Sequence, residues 1–250
     1  MKRLLFLLTL FLAVGFNLPL GAQEISKKTK QLLTGVSANW NSSYVTLTLY
    51  ERGIAGGWKQ KGASWSGRLG RNGLAWGRGM HEQPALRPGV AVKKEGDGRA
   101  PAGIFYIGHG AWGYASSIKK KAGLPYTQIT TRSLWYEDAS SPYYNQPRVL
   151  GYEPRSTAEK KAQMKQGDYA HSLKLFIGHN AAPNAVPGYG SAIFFHIWRR
   201  DGAAATAGCT TMSESNLKNL ISQIDPNQRP VYVLLPKEEY AVFKPIWKLP

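Results

Sequence analysis

Residues 191–225 read SAIFFHIWRRDGAAATAGCTTMSESNLKNLISQID, and they contain the chain's only cysteine, Cys209. Twelve residues separate it from His196. The apolar run Ala192, Ile193, Phe194, Phe195 that leads into His196 reads as a buried strand. Arg199, Arg200 and Asp201 follow, then small residues from Gly202 to Gly208. Ser213 is placed to N-cap a helix whose apolar face carries Leu217, Leu220, Ile221 and Ile224. Asp225-Pro226 stops that helix. The layout is strand, small-residue loop, cysteine, helix.

A thiol attacks a carbonyl as the thiolate, and its free pKa is about 8.5. A histidine within hydrogen-bond reach can take the proton and return it to a leaving amine. A helix beginning soon after Cys209 would favour the anion further. Gly208 permits a sharp turn, so its amide or that of Cys209 is a candidate oxyanion donor. Against this stands the plain alternative that a free cysteine is a small buried hydrophobe. The unpaired thiol also excludes an intramolecular disulfide. In an oxidising compartment such a thiol calls for an explanation.

The motif set resembles that of the L,D-transpeptidase (YkuD-type) catalytic domains of bacterial cell walls. In that family a strand ends in His, a variable loop follows, and Ser/Thr-x-Gly-Cys precedes a helix. Here these are His196 and Thr206-Ala207-Gly208-Cys209. Three upstream segments are also similar: EGDGRAPAGIF (95–105), WYED with SPYYN (135–145), and FIGHN (176–180). The similarity covers about residues 90–236. It implies a mostly β catalytic domain, a bent sheet or sandwich with a few short helices. It also implies Cys209 as nucleophile, His196 as general acid/base, and Gly208 at the oxyanion turn. Thr206, Thr210, Thr211, Tyr144 and Asn145 are the implied substrate-binding residues. The chain departs from the commonest pattern at Ala207, where many members have a second His. It departs again at Thr211, where many have Arg or Asn. Those positions shape the site and hold the substrate.

Residues 1–22 read as a leader. Lys2 and Arg3 are a basic start, 4–16 are apolar, and Gly21 and Ala22 suit a cleavage region. The apolar core is short for a membrane span. No later stretch is long and apolar enough for one, so export to the periplasm or cell envelope is the expectation. The whole chain carries 32 basic and 15 acidic residues, a net +17. Without Lys2 and Arg3 the balance is 30 against 15, or +15. This favours anionic partners. The leader argues against nucleic acid and for peptidoglycan peptides or phosphate-rich envelope polymers. Residues 23–250 are expected to form one domain.

Along that domain, 24–40 read as a mobile lead-in. Residues 44–50 (YVTLTLY) read as a strand by alternation, with 58–65 its partner across a Gly56-Gly57 turn. The Gly- and Arg-rich run 67–79 lacks a phosphate-loop ending and reads as tight β turns. Residues 93–103 read as a loop, 104–107 as a short strand, and 116–123 as a basic turn or short helix. Residues 157–167 read as a helix or helical turn, with 173–177 and 231–235 as strands. The apolar residues of 241–250 are expected to pack on the domain. His109, His171, His179 and His196 show no zinc-binding spacing, and no cofactor is expected.

The expected function is a cysteine acyltransferase acting on peptidoglycan stem peptides through a thioester. Release of the thioester would give crosslinking, amino-acid exchange or trimming. A lipoprotein or a D-amino acid is an allowed acceptor, and hydrolysis would make the enzyme an L,D-carboxypeptidase. The alternative from another class is a non-catalytic cell-wall-binding protein on the same fold.

Overall fold

The computed structural model describes residues 24–81 and 89–250. The expected leader lies outside them. In chain order the strands are β1 (Gln31–Ser37), β2 (Tyr44–Arg52), β3 (Trp58–Gln60), β4 (Trp65–Arg68), β5 (Leu74–Trp76), β6 (Ala100–Gly113), β7 (Tyr126–Gln128), β8 (Ser133–Trp135), β9 (Pro147–Val149), β10 (Leu173–Ile177), β11 (Phe194–Ile197), β12 (Thr210–Met212) and β13 (Val231–Pro236). Three helices accompany them: α1 (Thr157–Lys161), α2 (Glu214–Gln223) and α3 (Lys237–Trp247).

The expected mostly-β fold is present, and the bend of its sheet is complete. The main path runs β1-β13-β6-β10-β11-β12-β4-β2, and β2 pairs back onto β1. Eight strands among the described residues thus close on themselves. Closure satisfies the backbone groups that an open edge would expose. An eight-strand closed sheet has an interior that side chains can fill. Leu33, Leu47, Leu49, Phe105, Leu175, Phe195 and Tyr232 belong to that main core.

Strand β11 carries two environments because its side chains alternate. Phe195 and Ile197 join the main core. Phe194 faces the other way, into a second cluster with Trp112, Ile129, Trp135, Met164 and Phe176. The register places Lys174 opposite His196 and Phe176 opposite Phe194 across β10 and β11. Strand β12 runs parallel to β11, with Phe195 beside Thr210 and His196 beside Thr211. Cys209, just before β12, packs against the second cluster. The two cores meet at this wall of the sheet, and the candidate site lies on its second-cluster side.

Several expectations are corrected. Residues 24–40 are no lead-in: β1 is buried along its length and pairs with both β2 and β13. A strand buried on both faces shows no alternation, and QLLTGVS lacks one. The expected loop holds over 93–99, but β6 takes its last four residues and extends the expected short strand to fourteen residues, through Gly108 and Gly110. The expected strand at 58–65 is two strands, and both pair with β2. Of the turn or short helix expected at 116–123 the turn is what forms, and the helix or helical turn expected over 157–167 is a five-residue helix. The apolar tail is a helix that buries Phe243 and Trp247. Helix α2 begins as expected, with Ser213 Oγ accepting from the Asn216 amide, and it buries Leu217, Leu220 and Ile221. It does not begin beside Cys209, however. Strand β12 intervenes, so the helix start is roughly 13 Å along the chain and lends the thiol no dipole.

Candidate functional site

The cysteine is set by backbone geometry on both sides. The Phe194 N–H donates to Cys209 Sγ at 3.4 Å, and the S–H faces the Ala192 carbonyl at 3.5 Å. Ala192 has φ +52°, a left-handed conformation that costs a non-glycine residue energy and needs support. Asn145 supplies it. Its Oδ1 accepts from the Ala192 amide at 2.9 Å and from Trp135 Nε1 at 3.0 Å. Its Nδ2 donates to the carbonyls of His179 and Asn180. Asn145→Ala would strand these buried groups. It is expected to cost about 1–3 kcal/mol of stability, read as a lowered Cm in urea unfolding.

Thr206 holds the turn before the cysteine. Its hydroxyl donates to the Cys209 carbonyl at 2.7 Å and accepts from the Gly208 amide at 3.0 Å. The Gly208 amide is therefore committed inside the turn. The Cys209 amide has no hydrogen-bond acceptor among the described residues. Glycine is needed at 208: φ is +156°, and a Cβ would stand 3.0 Å from the Arg99 carbonyl oxygen.

Cys209 opens on a cavity of about 300 Å³ that His196 also lines. His196 is buried on β11, and its Nδ1–H donates to the Ile197 carbonyl at 2.8 Å. That leaves Nε2 as the basic nitrogen. No hydrogen bond joins His196 to Cys209 among the described residues. Burial pushes the His196 imidazolium down to about 4; Arg199 and Lys174 add to this, while the Ile197 and Ala170 carbonyls oppose it. Burial pushes the Cys209 thiol up, with the Phe194 amide, Lys174 and Lys93 acting downward. The resting pair is thus a neutral thiol and a neutral imidazole.

The other expected site residues are distributed unevenly. Tyr144 is buried, and its hydroxyl donates to Glu95 at 2.8 Å. Ser191 donates to the same carboxylate, so Glu95 ties the 138–146 loop to the segment before β11. Thr210 is buried beside the Tyr232 hydroxyl, and the Thr211 hydroxyl donates to the Arg68 carbonyl. Neither threonine lines the cavity, and Asn145 does not either. The cavity has Lys93, Glu95, Glu137, Gln166, His171 and Arg199 in its wall. None of these was singled out from sequence for substrate contact. His171 stacks on His196 with centroids 4.4 Å apart, and its Nδ1 has no partner. Its signal was weak, a lone histidine beside a charged turn.

The remaining histidines are structural. His109 stacks on Tyr106. His179 Nδ1 accepts from the Arg78 amide, and its Nε2–H donates to the Tyr189 carbonyl. His81 Nδ1 accepts from the Ile104 amide. Protonating either accepting nitrogen breaks its bond and buries a charge. Burial holds His81 at about 4, His179 at about 3 and His196 at about 4. In the unfolded chain each returns to about 6.5. The unfolded state therefore binds more protons as pH falls below 6.5, and stability drops until the folded values are passed. Between pH 6.5 and 5, before most carboxylates titrate, each histidine is expected to cost about 1–2 kcal/mol. Urea unfolding at stepped pH reads this, and a flat stability across that window would contradict the neutral buried rings.

The chain has a counterpart among known families. The family model described as the L,D-transpeptidase catalytic domain matches residues 58–233. No curated protein and no solved structure matches the chain. The match spans β3 to β13 and includes every residue of the Cys209 cavity, so the chain belongs to the L,D-transpeptidase catalytic-domain family.

Proposed function

We propose that this protein is an exported cysteine acyltransferase that acts on peptidoglycan stem peptides. The observation that carries the reading is the shared cavity of a partly accessible Cys209 and a His196 whose Nε2 is left basic. Rotation of the Cys209 side chain frees its sulfur from the Ala192 carbonyl. Nε2 takes the S–H proton as sulfur attacks the carbonyl at an L-centre of the stem. The C–N bond to a terminal D-amino acid then breaks, and His196 returns the proton to that leaving amine. An acceptor amine attacks the thioester to give a crosslink or an exchanged residue, and water gives trimming. The uncommitted Cys209 amide is the backbone donor best placed for the oxyanion.

The basic surface suits an anionic envelope, and residues 1–22 supply the export signal in this reading. The periplasm, wall biogenesis and cell shape are the setting that follows. The test is incubation of the protein with purified tetrapeptide muropeptides, with products resolved by chromatography and mass spectrometry. Loss of the terminal D-residue with dimer, exchange or trimmed products supports the reading. Muropeptide binding with no turnover would support a wall-binding protein instead.

A further inference from the structure

Lys174 is the buried charge that the reaction scheme leaves unused. It is 3% exposed in the middle of β10. No carboxylate lies within 4 Å of its ammonium among the described residues, and its one acceptor is the Met164 carbonyl at 3.4 Å. Lys93, as deeply buried and lining the Cys209 cavity, is different. Its Nζ pairs with Asp97 at 2.6 Å and donates to the Lys94 carbonyl. A buried cation without an anion is costly, so its retention calls for a compensating charge.

The register shows where that charge can arise. Lys174 sits directly opposite His196 on β11 and opposite Trp112 on β6. Its Nζ stands 5.6 Å from the centroid of the Phe194 ring. The amide of that same Phe194 donates to Cys209 Sγ. The groups facing it are few. Asp168 is committed to Arg199 and to the Ala170 amide. Glu137 lines the cavity together with Glu95, and withdrawal from water, then Glu95, push it above its ordinary value, while Lys174 acts the other way. His171 and His196 are held neutral by burial.

Building on Cys209 as the acylating nucleophile, we infer that Lys174 is its electrostatic positioning residue, the counter-charge that stabilises the thiolate as the S–H proton leaves for His196. Many cysteine enzymes use a histidinium for this purpose, but burial among cations makes an imidazolium expensive at position 196. Burial also lowers Lys174, to about 8, while Cys209 first and then Glu137 and Asp168 hold it up.

The test reads charge at Cys209 and not turnover, so it stands or falls separately from the stem-peptide reading. Iodoacetamide alkylation of Cys209 is followed from pH 5 to 10 in the full chain, with folding checked by circular dichroism. Lys174→Met is expected to raise the midpoint by about one unit, making alkylation about tenfold slower at any pH below it. Lys174→Arg is expected to restore the profile. A folded Lys174→Met chain with an unchanged profile overturns the inference. A second measurement needs no substitution. Blocking Cys209 with methyl methanethiosulfonate removes the anion, so the Lys174 titration seen by NMR is expected to move down. An unmoved Lys174 titration also overturns it.

Discussion

Cys209→Ala is expected to abolish turnover of tetrapeptide muropeptides and to leave the fold intact. The chain has no second thiol to substitute. Among the described residues the side chain makes two polar contacts, with the Phe194 amide and the Ala192 carbonyl. Their loss, with a small packing defect beside Phe194, is expected to cost about 1 kcal/mol. Activity should fall to background, because the other hydroxyls of the cavity, Ser191 and Thr206, are committed to Glu95 and to the Cys209 carbonyl. The comparison is product formation by chromatography set beside the urea midpoint of the same preparation. Turnover retained by a folded Cys209→Ala chain would remove the thiol from the chemistry.

His196→Gln is expected to slow acylation by about 10²–10⁴-fold, the usual contribution of a positioned acid–base group. The amide can keep a hydrogen bond to the Ile197 carbonyl, so the strand and its neighbours should hold. What it cannot do is accept the thiol proton or return it to the leaving amine. The burst of acyl-enzyme in rapid-quench experiments isolates this step from thioester release. An unchanged burst rate would assign the proton to another group, with His171 the nearest imidazole, stacked on His196. The Lys174 substitution predicts a different signature, a displaced pH profile with the proton acceptor still in place.

Much of the site was legible because its chemistry is local in sequence. Ser213 caps α2, and the apolar spacing of Leu217, Leu220 and Ile221 places that helix on the main core. The Gly208-Cys209 turn and His196 are contiguous enough in the chain to be read together. Two kinds of information were not local. The closed sheet depends on β1, six of whose seven residues are buried, on both faces, and which carries no alternation to read. Strand β6 runs past the short strand expected at 104–107 and through Gly108 and Gly110, residues that carry no strand signal. Here they are places where the chain passes close to other groups, Pro230 at Gly108 and the Trp112 ring at Gly110.

The walls of the cavity were hidden for a related reason. Glu95, Glu137 and Gln166 come from separate parts of the chain and meet only in the fold at the Cys209 cavity, and strand pairing alone sets Lys174 behind it, opposite His196. Lys174 did leave a trace: a lone lysine inside the apolar strand LKLFI, on the same face as Phe176. The hydroxyls of Thr206, Thr210 and Thr211 looked available beside the cysteine. In the fold all three are spent on protein groups, and two lie away from the cavity. Side-chain direction along β12 decides this, and it follows from a strand start that spacing alone does not mark.

The central claim is that Cys209 carries the acyl group. Intact-protein mass spectrometry after acid quench of a tetrapeptide reaction reads it directly. The account predicts a species heavier by the stem acyl group less the terminal D-residue, localised to the Cys209 peptide and released by hydroxylamine. A folded protein that turns over the muropeptide with no adduct on Cys209, or with the adduct on another residue, would contradict it.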